Sequence, residues 1–340
     1  MTTPRRALPG LLTAAAVVAA LAGCGESEAS GADTLTVYSA QHESLVRTML
    51  EGFTDETGIE LEFRDANDSE LANQIVQEGD ASPADVFLTE NSPAIDVVDD
   101  EGLLEPVDQA TLDQVEAAYR PGSGNWVGFA ARSTALIYNP AEIAEDELPA
   151  SMLDLADPAW EGRVAIASGG ADFQAIVSAV LALEGEDATR AWLEGLQRNA
   201  EVYASNTAIM KAVDEGEVPL GITYHYYWFR DQAQNGLIGD DARLHWFRHQ
   251  DPGAFVSVSG AGVLASSDQK DDAQRLVEWL TSSQAQERLA DSSALEYAVG
   301  VGVASADALP PLADLQAPAV DPGALDAPLV TRLMQEAGLL

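Results

Sequence analysis

Cysteine is almost missing: 340 residues hold one, Cys24. No intramolecular disulfide can form, and no zinc or iron–sulfur centre can be built from thiolates. Cations are scarce as well, with 17 Lys and Arg against 56 Asp and Glu and a net charge of −39. Lys211 and Lys270 are the only lysines. A chain without clustered cations is excluded from gripping a nucleic-acid backbone or an anionic lipid surface. Most of the acidity reads as a solvated surface. The four histidines, His42, His225, His245 and His249, show none of the pairing of a helical zinc motif. No apolar run is long enough to span a bilayer comfortably. Enzyme signatures are missing too. There is no Gly-x-Ser-x-Gly elbow and no phosphate-binding loop, and Gly122-Ser123-Gly124 follows no convincing strand. Paired glycosidase carboxylates could still hide among so many acids.

What is present begins with an address. Arg5 and Arg6 precede an apolar run over residues 11–21, the pattern of a secretory signal. It ends in Leu21-Ala22-Gly23-Cys24, which resembles the bacterial lipobox. In such signals the cysteine is lipidated and becomes the mature N-terminus. Residues 1–23 are therefore expected to be a lipoprotein signal peptide, and residues 24–32 a small, polar tether. Two acyl chains would anchor the protein on the extracytoplasmic face of the membrane.

The remainder alternates strand and helix patterns. Strands are expected at 35–38, 59–63 and 84–88, with helices at 43–57 and 69–78 between them. This β-α-β-α-β order favours a parallel sheet with ligands at the strand carboxyl ends. A long apolar extended stretch covers 126–138. A second set follows: a strand at 163–167, helices at 173–184, 188–198 and 206–215, and a strand at 220–224. A second long extended stretch covers 255–265. Two α/β sets with two long extended segments suggest a chain that crosses twice between lobes.

Three features could carry chemistry. His42 lies in Ser39-Ala40-Gln41-His42-Glu43, just past the first strand. Glu90 closes the third strand. Taken alone, each reads better as a surface residue than as a ligand. The run Tyr224-His225-Tyr226-Tyr227-Trp228-Phe229 ends a strand and opens a helix, so some of these rings must meet a cleft or solvent. They could form a packing or stacking surface, or a pair of phenol ligands. A phenolate at neutral pH needs a strong cation beside it, and hard oxygen donors suit a hard ion such as Fe³⁺.

The resemblance rests on particular segments: Val37-Tyr38-Ser39-Ala40-Gln41-His42, Pro83-Ala84-Asp85-Val86-Phe87-Leu88-Thr89-Glu90, Glu217-Val218-Pro219 followed by Tyr226-Tyr227-Trp228, and Arg248-His249-Gln250-Asp251-Pro252-Gly253-Ala254. Shorter matches run through Ser259-Gly260-Ala261 to Glu336-Ala337-Gly338-Leu339. With these, the chain resembles the bacterial ferric-iron-binding receptors of ABC import systems, within the two-lobed solute-binding proteins. The resemblance implies an α/β fold of two lobes joined by two crossing strands. One lobe would comprise 33–133 and 257–307, the other 134–256 and 308–340. It implies a monomeric binding protein rather than an enzyme, with an ABC permease and its ATPase as partners. It also implies that His42, Glu90, Tyr226 and Tyr227 ligate Fe³⁺, with phosphate or carbonate as a possible synergistic anion.

The chain departs from the family pattern around the anion. The family's Ser-Gly-Ala-type turn is Gly170-Ala171-Asp172 here, Tyr224 replaces an asparagine, and Asn91 follows Glu90 where a glutamine is usual. Asn206 keeps a second pocket asparagine. Asp172 is expected to sit at a helix N-cap and weaken the demand for an anion, with a less charged anion, water or Tyr224 filling the vacancy. Two other readings stay open: a two-lobed receptor for an organic or oxyanion solute, and a secreted hydrolase.

Overall fold

The computed structural model describes residues 34–234, 236, 239 and 241–340. The signal segment, Cys24 and the tether lie outside these residues. The strands are β1 (Thr34–Ser39), β2 (Glu60–Asp65), β3 (Val86–Leu88), β4 (Leu104–Glu105), β5 (Trp126–Tyr138), β6 (Val164–Ile166), β7 (Ala200–Val202), β8 (Leu220–Tyr224), β9 (Arg243–His245) and β10 (Val256–Leu264). They run in the order β2-β1-β3-β10-β5-β8-β6-β7, with β4 beside β10 and β9 beside β5. Pairing is parallel on both wings, β1 with β2 and β3, and β6 with β7 and β8. It is antiparallel through the centre.

The unbroken apolar run of β5 has its physical reason here, since all thirteen of its residues are buried. A strand covered on both faces needs no polar alternation. Its first part pairs with β10 up to Ser133, and its second part pairs with β8 from Thr134. The two long extended stretches thus carry the chain between two α/β wings, as the sequence pattern suggested. Gly128 is required in β5, because a Cβ there would stand 2.3 Å from the Tyr119 carbonyl oxygen. Apolar side chains fill both faces of the wings, among them Leu35, Val37, Val127 and Phe129 on one side of the centre and Leu136, Val164, Leu220 and Ile222 on the other.

Residues 43–57 do not form one helix. The chain makes Glu43–Met49, breaks, and resumes as Phe53–Thr57. Gly52 adopts φ 84°, a left-handed conformation that an α-helix cannot include. The Trp279 indole donates to the Met49 carbonyl at 2.9 Å, satisfying one acceptor exposed by the break. The other expected elements fall within a few residues of their places, while helices Ser92–Asp100, Lys270–Thr281, Ser283–Ala290 and Ala327–Glu336 were not anticipated. One such shift matters: the helix carrying Asp172 is Ala171–Glu184, with Gly170 at its N-cap.

Candidate functional site

The loops that leave the carboxyl ends of β1, β3, β6 and β8 converge, the usual place for ligands in parallel α/β sheets. His42 follows β1 and precedes the helix Glu43–Met49. Its amide donates to Gln41 Oε1 at 2.7 Å. Glu90 follows β3. The Glu90 and Asn91 amides donate to the two carboxylate oxygens of Asp68 at 2.9 and 3.0 Å, which fixes the turn. Tyr226 and Tyr227 stand in the first turn of the helix His225–Ala233, directly after β8.

These side chains meet. The Tyr226 hydroxyl donates to Glu90 Oε1 at 3.2 Å and lies 3.3 Å from His42 Nε2. His42 Nε2 and Glu90 Oε1 are 3.9 Å apart. The Tyr226 and Tyr227 rings lie with centroids 4.2 Å apart at 31°. Tyr227 donates to Asp172 Oδ2 at 3.0 Å. His42 remains 30% exposed and Glu90 16%, so the cluster is shielded but reachable.

Asp172 corrects the expectation made for it. It does not cap its helix; Gly170 holds that position, and no side chain caps there. As the second residue of the helix, Asp172 turns its carboxylate into the cluster. It accepts from Asn91 Nδ2 at 3.1 Å and Asn206 Nδ2 at 2.8 Å, besides Tyr227. Ser257 Oγ, on β10, donates to Asn91 Oδ1 at 2.7 Å and holds that amide's orientation. Asn91, Asp172 and Asn206 therefore act together. Gly170 and Ala171 contribute the turn. Tyr224 is fully buried, its ring packed with Leu136 and Ile222, and burial together with the Asp172 charge holds its phenol well above the usual range, so its hydroxyl borders the cluster. A cavity of about 310 Å³ adjoins this side, lined in part by Asp68, Asn91, Ala171 and Gln174, and no Lys or Arg lines it among the described residues.

Electrostatics follow from burial. Desolvation, reinforced by Asp172, holds the Glu90 carboxyl and both phenols, Tyr226 and Tyr227, well above their ordinary ranges. Burial also raises the Asp172 carboxyl, although Arg132 and its three hydrogen-bond donors oppose this. Burial and the nearby Arg132 and Arg230 charges bring His42 down to about 4. At neutral pH His42 is thus a free base, and the Tyr226 and Tyr227 phenols hold protons that a cation could displace. Among the described residues, no three His, Cys, Asp or Glu side chains form a metal-sized group. A metal site here needs the phenols.

The family model for bacterial extracellular solute-binding proteins matches residues 81–321. The chain belongs to this family. As a solute-binding protein it is 54% identical to the Fe(3+)-binding periplasmic protein of Serratia marcescens, over 93% of this chain and 94% of that one. It is 35% identical to the major ferric iron-binding protein of Neisseria meningitidis serogroup B, covering 90% of this chain and 93% of the other. Among solved structures, iron-bound HitA from Pseudomonas aeruginosa superposes with a TM-score of 0.84 at 38% identity, covering 90% of this chain and 99% of that one. The mixed α/β architecture of this solute-binding protein is therefore that of the two-lobed ferric-binding receptors.

Several site residues escaped the sequence reading: Gln41, Asp68, Arg132, Ser257, Ser259 and Glu296. Arg132 offered a signal, being the one charge inside the apolar run Trp126–Tyr138. The serines offered another, at alternate positions in Val256-Ser257-Val258-Ser259.

Proposed function

We propose that this solute-binding protein captures Fe³⁺ as its cargo, with His42, Glu90, Tyr226 and Tyr227 as ligands and Asp172 beside them, and delivers it to an ABC permease. The supporting observation is the Tyr226 hydroxyl lying within 3.3 Å of both His42 Nε2 and Glu90 Oε1. An octahedral cation with bonds of about 2.1 Å sets neighbouring donors about 3.0 Å apart. The cluster is thus already close to metal size, with protons where a cation would sit. The donors are phenol and carboxylate oxygens with one imidazole, a set suited to a hard trivalent ion and poor for soft metals. Two phenolates and one carboxylate balance Fe³⁺, so burial leaves little uncompensated charge. Titration of the metal-free protein with ferric citrate tests this reading. A visible phenolate-to-iron band saturating at one iron per chain is expected. A colourless protein that binds an organic solute instead would favour the receptor reading left open above.

Proton release gives a second test. His42 stays neutral down to about pH 4, so it does not compete for protons in mild acid. The raised Tyr226 and Tyr227 phenols must each lose a proton to bind a metal. Metal affinity should therefore fall as pH falls, by about a hundredfold per pH unit when two protons exchange. Equilibrium competition against citrate between pH 7 and pH 5.5, corrected for the chelator's own protonation, measures the slope. A flat profile would count against phenolate ligation.

We further read the protein as a lipoprotein held by Cys24 on the extracytoplasmic face, with its lobes dividing at residues 133/134 and 256/257. No described helix is long and apolar enough to cross a membrane. Cys24→Ser should move the protein from the membrane fraction to the soluble fraction and leave iron affinity unchanged. Retention of that variant in the membrane would contradict the lipobox reading.

A further inference from the structure

Arg132 is fully buried on β5, one residue before Ser133, where that strand's pairing with β10 ends. Its Nη2 donates to Ser259 Oγ and to Glu296 Oε2, both at 2.7 Å. Its Nη1 donates to the Glu90 carbonyl oxygen and stands 3.7 Å from Glu90 Oε1. Its guanidinium carbon lies 5.6 Å from the centre of the Tyr226 ring. Glu296 is itself buried, in a segment tied to β5 by the Ala131–Tyr297 bridge. Burial works against the Arg132 charge, and the Glu296 and Glu90 carboxylates outweigh it, so the guanidinium stays protonated.

Ser259 joins the two loops that carry His42 and Glu90. A register shift between Ser259 and Gly260 interrupts the β10–β5 ladder, the kind of irregularity that re-aims a side chain. The Ser259 hydroxyl accepts from Arg132 and from Gln41 Nε2, the latter at 2.8 Å, and donates to the Glu90 carbonyl oxygen at 3.0 Å. Gln41 Oε1 in turn receives the His42 amide. Two donors from loops 48 positions apart thus share one buried hydroxyl, and that hydroxyl is held by one arginine.

We propose that Arg132 and Ser259, on the two crossing strands, and Glu296 form a positioning anchor that presets His42 and Glu90 in metal-binding geometry before any cargo arrives. This rests on the iron reading above for its consequence, though not for its geometry. Outer partners of this sort commonly change metal affinity by about 10–100-fold when removed. A lysine at position 132 keeps the charge but cannot supply the forked donors that reach Ser259, Glu296 and Glu90 together.

The test uses Ser259→Ala in the full chain, with Arg132→Lys as the second variant should the first not fold. Without metal, the backbone amide resonances of His42 and Glu90 should shift or broaden while those of Tyr226 and Tyr227 hold, and the melting transition should stay cooperative. With iron, Ser259→Ala should weaken binding at least about tenfold. The same change in a His42→Ala/Glu90→Ala background, read against a competitor weaker than citrate because two donors are gone, should weaken it less than about twofold, because nothing remains for the anchor to place. Unmoved His42 and Glu90 resonances, or an equal loss of affinity in both backgrounds, would overturn the anchor. An unsubstituted protein that takes up no iron would instead refute the iron reading, with the metal-free resonances still deciding on the anchor.

Discussion

Tyr226→Phe combined with Tyr227→Phe is expected to give a colourless protein that no longer holds iron against citrate. Structural zinc sites bind with about 10–16 kcal/mol shared among four ligands, or roughly 3 kcal/mol per ligand. Loss of two donors then corresponds to roughly a ten-thousandfold loss of affinity. The geometry says why the loss should be so large. Tyr226 is the group that touches both His42 and Glu90, and Tyr227 is the one that touches Asp172. Removing both hydroxyls leaves two separated half-sites. Phenylalanine keeps the ring contact between these neighbours, so the fold should survive with little change in melting temperature. Tyr224→Phe is the companion test, since that buried phenol also feels Asp172 and Glu90; a visible band that persists there keeps the assignment on Tyr226 and Tyr227. A double variant that retained both colour and affinity would remove the phenols from the site.

Removal of Asp172 has the second large effect. In the native protein, three donors converge on its carboxylate, from Asn91, Asn206 and Tyr227. A bound oxyanion would need those same donors. Of the cations beside the cluster, Arg132 is already committed to Glu90 and Glu296, and Arg230 lies over the tyrosine rings. Iron loading of the native protein should therefore change less than about threefold when phosphate or carbonate is added. Asp172→Ala should bind about a hundredfold more weakly in anion-free buffer and recover part of the loss when phosphate is supplied. Iron competition assays with and without each anion decide the matter. Strong phosphate dependence in the native protein, unaltered in Asp172→Ala, would take Asp172 out of the site. Stability should move the same way: an asparagine would turn an amide NH2 toward donors that now meet a carboxylate oxygen, so Asp172→Asn should also melt lower.

The sequence pattern located the wings and the two crossing strands because apolar runs as long as 126–138 have few other uses. It could not show the break at Gly52, since Leu45, Met49, Leu50 and Phe53 keep helical spacing straight through it. The four proposed ligands carried little weight singly; an acid or a histidine in a loop is ordinary. They became candidates through the company of the Tyr-Tyr-Trp and Arg-His-Gln-Asp-Pro-Gly segments. Asp172 shows a different limit. A two-residue error in where a helix begins changes an aspartate from a cap into an inward-facing carboxylate. Arg132 was visible as an intruder in an apolar strand, but its partners Ser259 and Glu296 lie over a hundred positions away. No local pattern joins them.

The position of β10 within the sheet has a consequence for the order of assembly. β3 and β5 do not touch as neighbours; β10 lies between them. The wing built from the first hundred or so residues therefore lacks its connecting strand until residue 264 has been made. Loops that long are slow to close, and a chain governed by such remote pairings stays open longer than one built from local hairpins. For a protein read as crossing a membrane before it folds, this delay is useful. Most of the chain must emerge before the first wing can lock.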